Sequence, residues 1–390
     1  MPSLFRHPGR FRPLLVLAGG LLLMPLAAGD QQAEPPASGY PPLGTEVMVP
    51  EMGLPPAEDP LALFRELPSG PAVDTPTRPT APAVAAGSAE PIAPPPVNRL
   101  TVMLDWYPSP RHAALIVARE RDLFASRGLE VDLRTPADPD VPTKLLAASR
   151  VDLALTRQPL LHLLVDRGQP LVRVATLVGT PMTALVMRED AGVENLANLA
   201  GTRVGHADLD GEAVLLASLL ARHDLPREAL DSPDLHFRLE QAMREGRVDG
   251  IIGAVRHLLP RALADEGLAT VSVPSERFGV PRHDGLILVA NRERLARQGE
   301  AIARLVDALE EATAWILEHP EESWPLLATA EPALDTPANR EAWPEVRARL
   351  SLTPAALHPR RYAEFERFLV QQGIVTAVTP VERLAIDPNR

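Results

Sequence analysis

The run Leu104-Asp105-Trp106-Tyr107-Pro108-Ser109-Pro110-Arg111-His112 decides how the folded part of this chain is read. It closes an apolar run, Leu100 to Leu104, with an Asp-Trp turn. It opens a segment, Ala113 to Ala125, whose small and apolar residues (Ala114, Val117, Ala118, Phe124) recur at helical spacing. Gly128 stops that helix, and Leu129-Glu130-Val131-Asp132-Leu133 alternates as a second strand. A strand–loop–helix–strand unit puts its loop at the carboxyl end of the first strand, where open α/β sheets bind ligands. The loop holds a Trp, a Tyr, a Ser and a His.

Working outward, strands and helices keep alternating from residue 99, which predicts an α/β class with largely parallel sheets. The predicted strands are Arg99–Leu104, Glu130–Leu133, Leu153–Thr156, Val172–Leu177, Thr183–Met187, Arg203–Gly205, Leu235–Arg238, Gly250–Gly253, Thr270–Val273 and Asp284–Asn291. Arg294 to Arg367 reads as mostly helical. The charged stretch Arg188 to Glu194 after Thr183–Met187 suits a chain crossing between two lobes, and a second crossing is expected near Pro274–Asp284. Lobe 1 would then hold residues 99–187 and 284–390, and lobe 2 residues 188–283.

Upstream, Arg6, Arg10 and Arg12 flank an apolar run, Leu14 to Leu26, that ends in Ala27-Ala28-Gly29. This pattern is an export signal over residues 1–29. The run is shorter than the ~20 residues a spanning helix needs, although an uncleaved anchor is the alternative. Residues 30–98 recur in proline, most densely at Pro94-Pro95-Pro96, and read as a disordered linker that buries too little to fold alone. The chain holds no cysteine, which excludes a lipoprotein tether and disulfides. Its formal net charge of −12, with no basic block to offset it, argues against a nucleic-acid partner.

The segments "LDWYPSPRHAALIVARERDLFASRGLEVDL", "KLLAASRVDLALTRQPLL", "RGQPLVRVATLVGTPMTALV", "LANLAGTRVGHADLDGEAVLL", "ERFGVPRHDGLILVANRERL" and "TAWILEHPEESWPLL" follow one another without a large gap. In that order they resemble ABC-transporter substrate-binding proteins of the thiamine-pyrimidine-precursor type, a superfamily that also holds thiamine pyrimidine synthases. The resemblance implies a two-lobed periplasmic-binding-protein fold (type II). Each lobe would be a mixed, mostly parallel sheet flanked by helices, with the ligand cleft between them. It implies an exported or periplasmic monomer that captures a small organic molecule by cleft closure and hands it to an ABC permease at the inner membrane. The alternatives are a ligand-sensing or scaffold protein reusing the fold, and a binder of a small anion such as a sulfonate or carboxylate. The synthase branch handles iron through a cysteine-rich stretch that this chain lacks, so no catalytic residue, metal or cofactor is assigned.

Trp106 and Tyr107 are placed to stack on a planar heterocycle, or to cover the lobe interface. Ser109 stands where relatives carry an amide, so the ligand's edge would be read differently. His112 starts a helix and either joins the site or caps and packs. Arg157 replaces an aromatic and suits a carboxylate, phosphate or sulfonate, or an ion pair. Thr180 and Thr183 offer hydroxyls near the first crossing. Glu212 matches the glutamate that bonds the aminopyrimidine in relatives, or is a first-turn acid favoured by the helix dipole. His206, Arg256 and Asp284 complete the candidates, with Asp284 open between hinge, ligand acceptor and turn former. These substitutions predict a pocket less aromatic and more cationic than in relatives.

Overall fold

The computed structural model describes residues 97–193 and 195–390. The expected export signal and the proline-rich linker up to residue 96 lie outside them. Among the described residues nine strands form in chain order: β1 (Asn98–Met103), β2 (Leu129–Arg134), β3 (Leu153–Thr156), β4 (Leu171–Val178), β5 (Thr183–Arg188), β6 (Val204–Gly205), β7 (Gly250–Val255), β8 (Thr270–Pro274) and β9 (Leu286–Asn291). They build a five-stranded sheet, β2-β1-β3-β9-β4, and a four-stranded sheet, β6-β7-β5-β8.

β1 runs parallel to β2 and β3, and β9 runs antiparallel to β3 and β4. β6 is parallel to β7, and β5 runs against both β7 and β8. Each sheet therefore has one reversed strand, and that strand is the one by which the chain enters the sheet after a crossing. The crossings are Gly179–Met182 and the segment from Ser275 to Gly285. The expected lobe boundary after Met187 falls one strand too late, because β5 belongs to the second sheet. Sequence could not show this: β5 is buried on both faces along Thr183–Met187, and such a strand reads alike in either sheet.

Helices cover the faces. α1 (Ala113–Glu120), α2 (Val141–Ala147) and α3 (Gln158–Asp166) serve the first lobe. A π-helical turn, Gly211–Leu216, leads into α4 (Ala217–Arg222), followed by α5 (Leu239–Arg244) and α6 (Leu259–Asp265) in the second. α7 (Leu295–Glu318), α8 (Pro320–Ala330), α9 (Pro337–Arg347), α10 (Pro359–Gln371) and α11 (Val381–Leu384) follow the return crossing. α1 stops at Glu120, earlier than its apolar period suggests, because Asp122 takes a left-handed backbone (φ 56°).

The segment Leu235–Arg238 is not a strand. The Asp234 side chain accepts the His236 N–H at 3.0 Å and His236 sits at φ 51°, so the chain turns there. The stretch just ahead of it makes two isolated parallel bridges, Arg203 to Asp231 and His206 to Asp234.

Both crossings are pinned. Gly285 lies directly against the Thr180 carbonyl, so the two crossing segments touch backbone to backbone. Buried Asp284 accepts the Thr176 hydroxyl (2.8 Å) and the Tyr362 hydroxyl (3.1 Å) and pairs with Arg361, tying the second crossing to β4 and α10. α10 in turn inserts Phe365 and Leu369 into an apolar cluster shared by α3 and the second sheet. Each such fully buried side chain contributes roughly 1.5–3 kcal/mol. Buried Arg173 on β4 donates to the carbonyls of Pro354 (2.7 Å), Ala355 (2.9 Å) and Ala356 (2.7 Å), and to Ile386 (3.1 Å). One guanidinium thereby holds the carboxyl-terminal segment against the first sheet.

Candidate functional site

The ends of β1 and β3 from the first lobe face the end of β7 and the loop after β6 from the second. Between them lies a cavity of about 500 Å³. The loop after β1 reaches it because β1 ends at Met103 and the following residues turn out of the sheet. There Asp105 accepts from Arg111 Nη1 (2.9 Å) and pairs with His112 Nε2 (2.8 Å), while the Ser109 N–H donates to His112 Nδ1 (3.1 Å). The imidazole is thus an acceptor at Nδ1 and a donor at Nε2. Burial lowers the His112 pKa against the opposing pull of Asp105. Burial would raise the Asp105 carboxyl, but Arg111 and His112 outweigh it and hold it well below the usual range. This closed network sets the direction of the loop that carries Trp106 and Tyr107.

Trp106 meets Phe237 of the second lobe edge to face, with centroids 4.6 Å apart, and Tyr107 packs on Phe237 at 4.7 Å. The three rings cover the cavity from both lobes. Tyr107 remains 52% exposed, which leaves ring surface free.

Arg157 stands just before α3, at its N-cap position, and its side chain reaches across the cleft. Its Nε lies 3.0 Å from Asp210 Oδ2 and its Nη2 2.6 Å from Asp210 Oδ1, and Asp208 also pairs with it. Burial and the Asp208 charge push the Asp210 carboxyl up to about 7 against the pull of Arg157; Asp208 stays low because Arg157 outweighs its burial. Further pairs link the lobes: His236 Nδ1 with Asp138 (2.8 Å), and Arg261 with Glu345 (3.0 Å) and Glu341 (3.8 Å), with His257 also engaging Glu345.

Of the residues singled out by sequence, Trp106, Tyr107, Ser109 and Arg157 line this cavity together. His112 stands behind it, fully buried. Thr183 donates to Ser275 (3.4 Å), Arg256 pairs with Glu276 (3.2 Å), and Glu212 accepts from Arg227 (2.7 Å); none of the three lines the cavity. His206 is buried beside the π-helical turn, with Nε2 3.9 Å from Glu212. Thr180 and Asp284 lie on the crossings, where Asp284 is held by Thr176, Tyr362 and Arg361. Sequence reasoning passed over Asp105, Arg111, Asp208, Asp210 and Phe237. The Asp-Leu-Asp spacing ahead of a helix was a readable signal for the acidic pair. Phe237 was hidden by the mistaken strand.

The expected cationic pocket is not found. Five carboxylates line the cavity (Asp105, Asp208, Glu240, Asp265, Glu266) against two guanidiniums (Arg111, Arg157), and both guanidiniums are tied to carboxylates.

Two sheets, two crossings and a cavity at the lobe interface define the periplasmic-binding-protein fold. The alkanesulfonate-binding protein SsuA from Xanthomonas axonopodis pv. citri superposes with a TM-score of 0.60 at 16% identity, covering 74% of this chain and 98% of that one. A family model described as NMT1/THI5 like matches residues 109–323, and the chain belongs to that family. It is 34% identical over 291 residues to a Haemophilus influenzae protein named for thiamine biosynthesis, covering 74% of this chain and 92% of that one. It is 30% identical to the formylaminopyrimidine-binding protein of Halalkalibacterium halodurans, over 63% of this chain and 74% of that one. A Saccharomyces cerevisiae 4-amino-5-hydroxymethyl-2-methylpyrimidine phosphate synthase matches at 24% identity, over 58% of this chain and 69% of its own.

Proposed function

We propose that this protein is an exported solute-binding protein that takes an amino-bearing pyrimidine of the thiamine-precursor class into its cleft and presents it to an ABC permease. The observation that carries this reading is the make-up of the cavity, in which aromatic rings from both lobes stand over an excess of carboxylates. Stacking suits a planar heterocycle, and carboxylate oxygens accept from exocyclic amino groups. A sulfonate or nitrate would meet no uncommitted guanidinium there and would face net negative charge. The naming of the two binding and biosynthesis relatives supports the same ligand class. Binding rather than synthesis is supported by the names of the two more similar relatives and by the chain's lack of the cysteines through which the synthase branch it resembles handles iron. The protein acts as a monomer outside the cytoplasmic membrane.

Closure between lobes is the mechanism: ligand bridges the Trp106 loop and the Phe237 turn, and the cross-lobe ion pairs hold the closed form. Calorimetry on the purified protein tests the reading. A formylaminopyrimidine or 4-amino-5-hydroxymethyl-2-methylpyrimidine should bind in the micromolar range or tighter, and nitrate and alkanesulfonates should not. Tight binding of an alkanesulfonate with no response to either pyrimidine would sink it.

A further inference from the structure

A second cavity, of about 270 Å³, opens at the crossings and shares no lining residue with the cleft. Its walls come from three places: Thr180 on the first crossing, Arg282 on the second, and Arg349, Ser351, His358 and Arg361 from the end of α9 through α10. Three guanidiniums and an imidazole meet there and no carboxylate lines the wall, in a chain whose formal net charge is −12. Of the acids close by, Asp284 neutralises Arg361 alone, and Glu345 is engaged outside the cavity. Asp284 is held by Arg361, Thr176 and Tyr362, and the Glu345 side chain by His257 and Arg261. Arg349 spends only Nη1 on a carbonyl, that of Glu345 (2.6 Å), and no partner for Arg282 is found among the described residues. The Thr180 hydroxyl is buried at the cavity with no hydrogen-bond partner. A buried hydroxyl left unpaired is costly, so a ligand oxygen that reached it would gain a hydrogen bond the protein does not supply.

We infer that this hinge cavity is a binding site for a multivalent oxyanion of the phosphate class, held by Arg282 and Arg349 with the Thr180 hydroxyl as a further donor. Guanidinium forks match tetrahedral oxyanions, and two guanidiniums, Arg282 and Arg349, that have no carboxylate partner among the described residues favour two negative charges over one. Because donors come from both crossings and from the α9–α10 segment, an occupied site joins the three strands of chain that bend when the lobes move. The inference does not depend on which solute the cleft takes.

The test is a thermal-unfolding titration of the full chain with inorganic phosphate and with a small phosphomonoester, ionic strength being matched with sodium chloride. Phosphate should raise the melting temperature in a saturable manner, and chloride should not. In R282Q/R349Q the apparent Kd for phosphate should rise by at least about tenfold, the loss of one charge-assisted hydrogen bond or more. The melting temperature in chloride should stay near the parent's, since neither side chain is buried. T180V removes the hydroxyl while keeping its shape, and should also weaken phosphate binding. An equal rise in chloride, or unchanged phosphate affinity in both variants, would overturn the site. A saturable response to the monoester but not to inorganic phosphate would support the site and assign it to a phosphate ester; a response to neither would overturn it.

Discussion

Arg157 of the first lobe and Asp210 of the second are joined across the cleft by two hydrogen bonds, Nε to Oδ2 at 3.0 Å and Nη2 to Oδ1 at 2.6 Å. Both side chains are almost wholly buried, at 12% and 1% exposure. The pair is therefore a strut between lobes as well as a wall of the cavity. A buried ion pair broken by removing one partner typically costs about 3–5 kcal/mol. Arg157→Ala, which leaves Asp208 and Asp210 facing each other, should open the cleft. Small-angle scattering should show a larger radius of gyration without ligand. An unchanged radius would mean that the strut does not hold the lobes.

The same pair predicts a pH dependence. Asp210 is raised from about 4 in the unfolded chain to about 7 in the fold, so its contribution is fully present at low pH. That contribution is lost as pH climbs through this window. Asn at 210 mimics the protonated form and does not titrate. The melting temperature of D210N should therefore gain on the parent between about pH 5 and pH 8. A difference that stays flat, or reverses, contradicts the raised carboxyl.

Trp106 and Phe237 should matter to binding and little to folding. Each ring stands at the cavity, not in a lobe core, so Trp106→Ala or Phe237→Ala should weaken ligand binding by roughly 1–3 kcal/mol, about 5- to 150-fold. Calorimetry of the variants with a formylaminopyrimidine measures this, and circular dichroism checks the fold. Unfolding of either variant would place these rings in the core.

Two glycines should respond in opposite ways. A Cβ on Gly285 would overlap the Thr180 carbonyl oxygen, which is backbone and cannot swing aside. Gly285→Ala should destabilise by about 1–3 kcal/mol. Gly299 on α7 has open space at its Cβ position, and Gly299→Ala should stabilise by about 0.5–1 kcal/mol. Urea titrations of both decide it; equal midpoints for the two variants would refute the contact between crossings.

Arg173→Met should cost at least ~3 kcal/mol, because it leaves several buried carbonyls unpaired at roughly 1–3 kcal/mol each. The segment around Pro354–Ala356 should become the first site of limited proteolysis. Parent-like resistance there would show that the carboxyl-terminal segment is held by its apolar contacts alone.

What the sequence determined by itself were the local periods. The alternation of strands and helices, the loop of Trp106 and Tyr107 at the end of β1, and the positions of Ser109 and Arg157 were legible because strand and helix periods and turn residues act over a few positions. The tertiary structure alone decided the allegiance of β5, which rests on pairing with β7 and β8 more than 60 residues further along in the case of β7. It also decided the sign of the cleft. In sequence Arg157 stayed open between an anion binder and an ion pair, because its partners, Asp208 and Asp210, arrive from the other lobe 51 and 53 positions later. Coulomb attraction depends on distance in space, and only the two crossings bring those charges to within a hydrogen bond of each other.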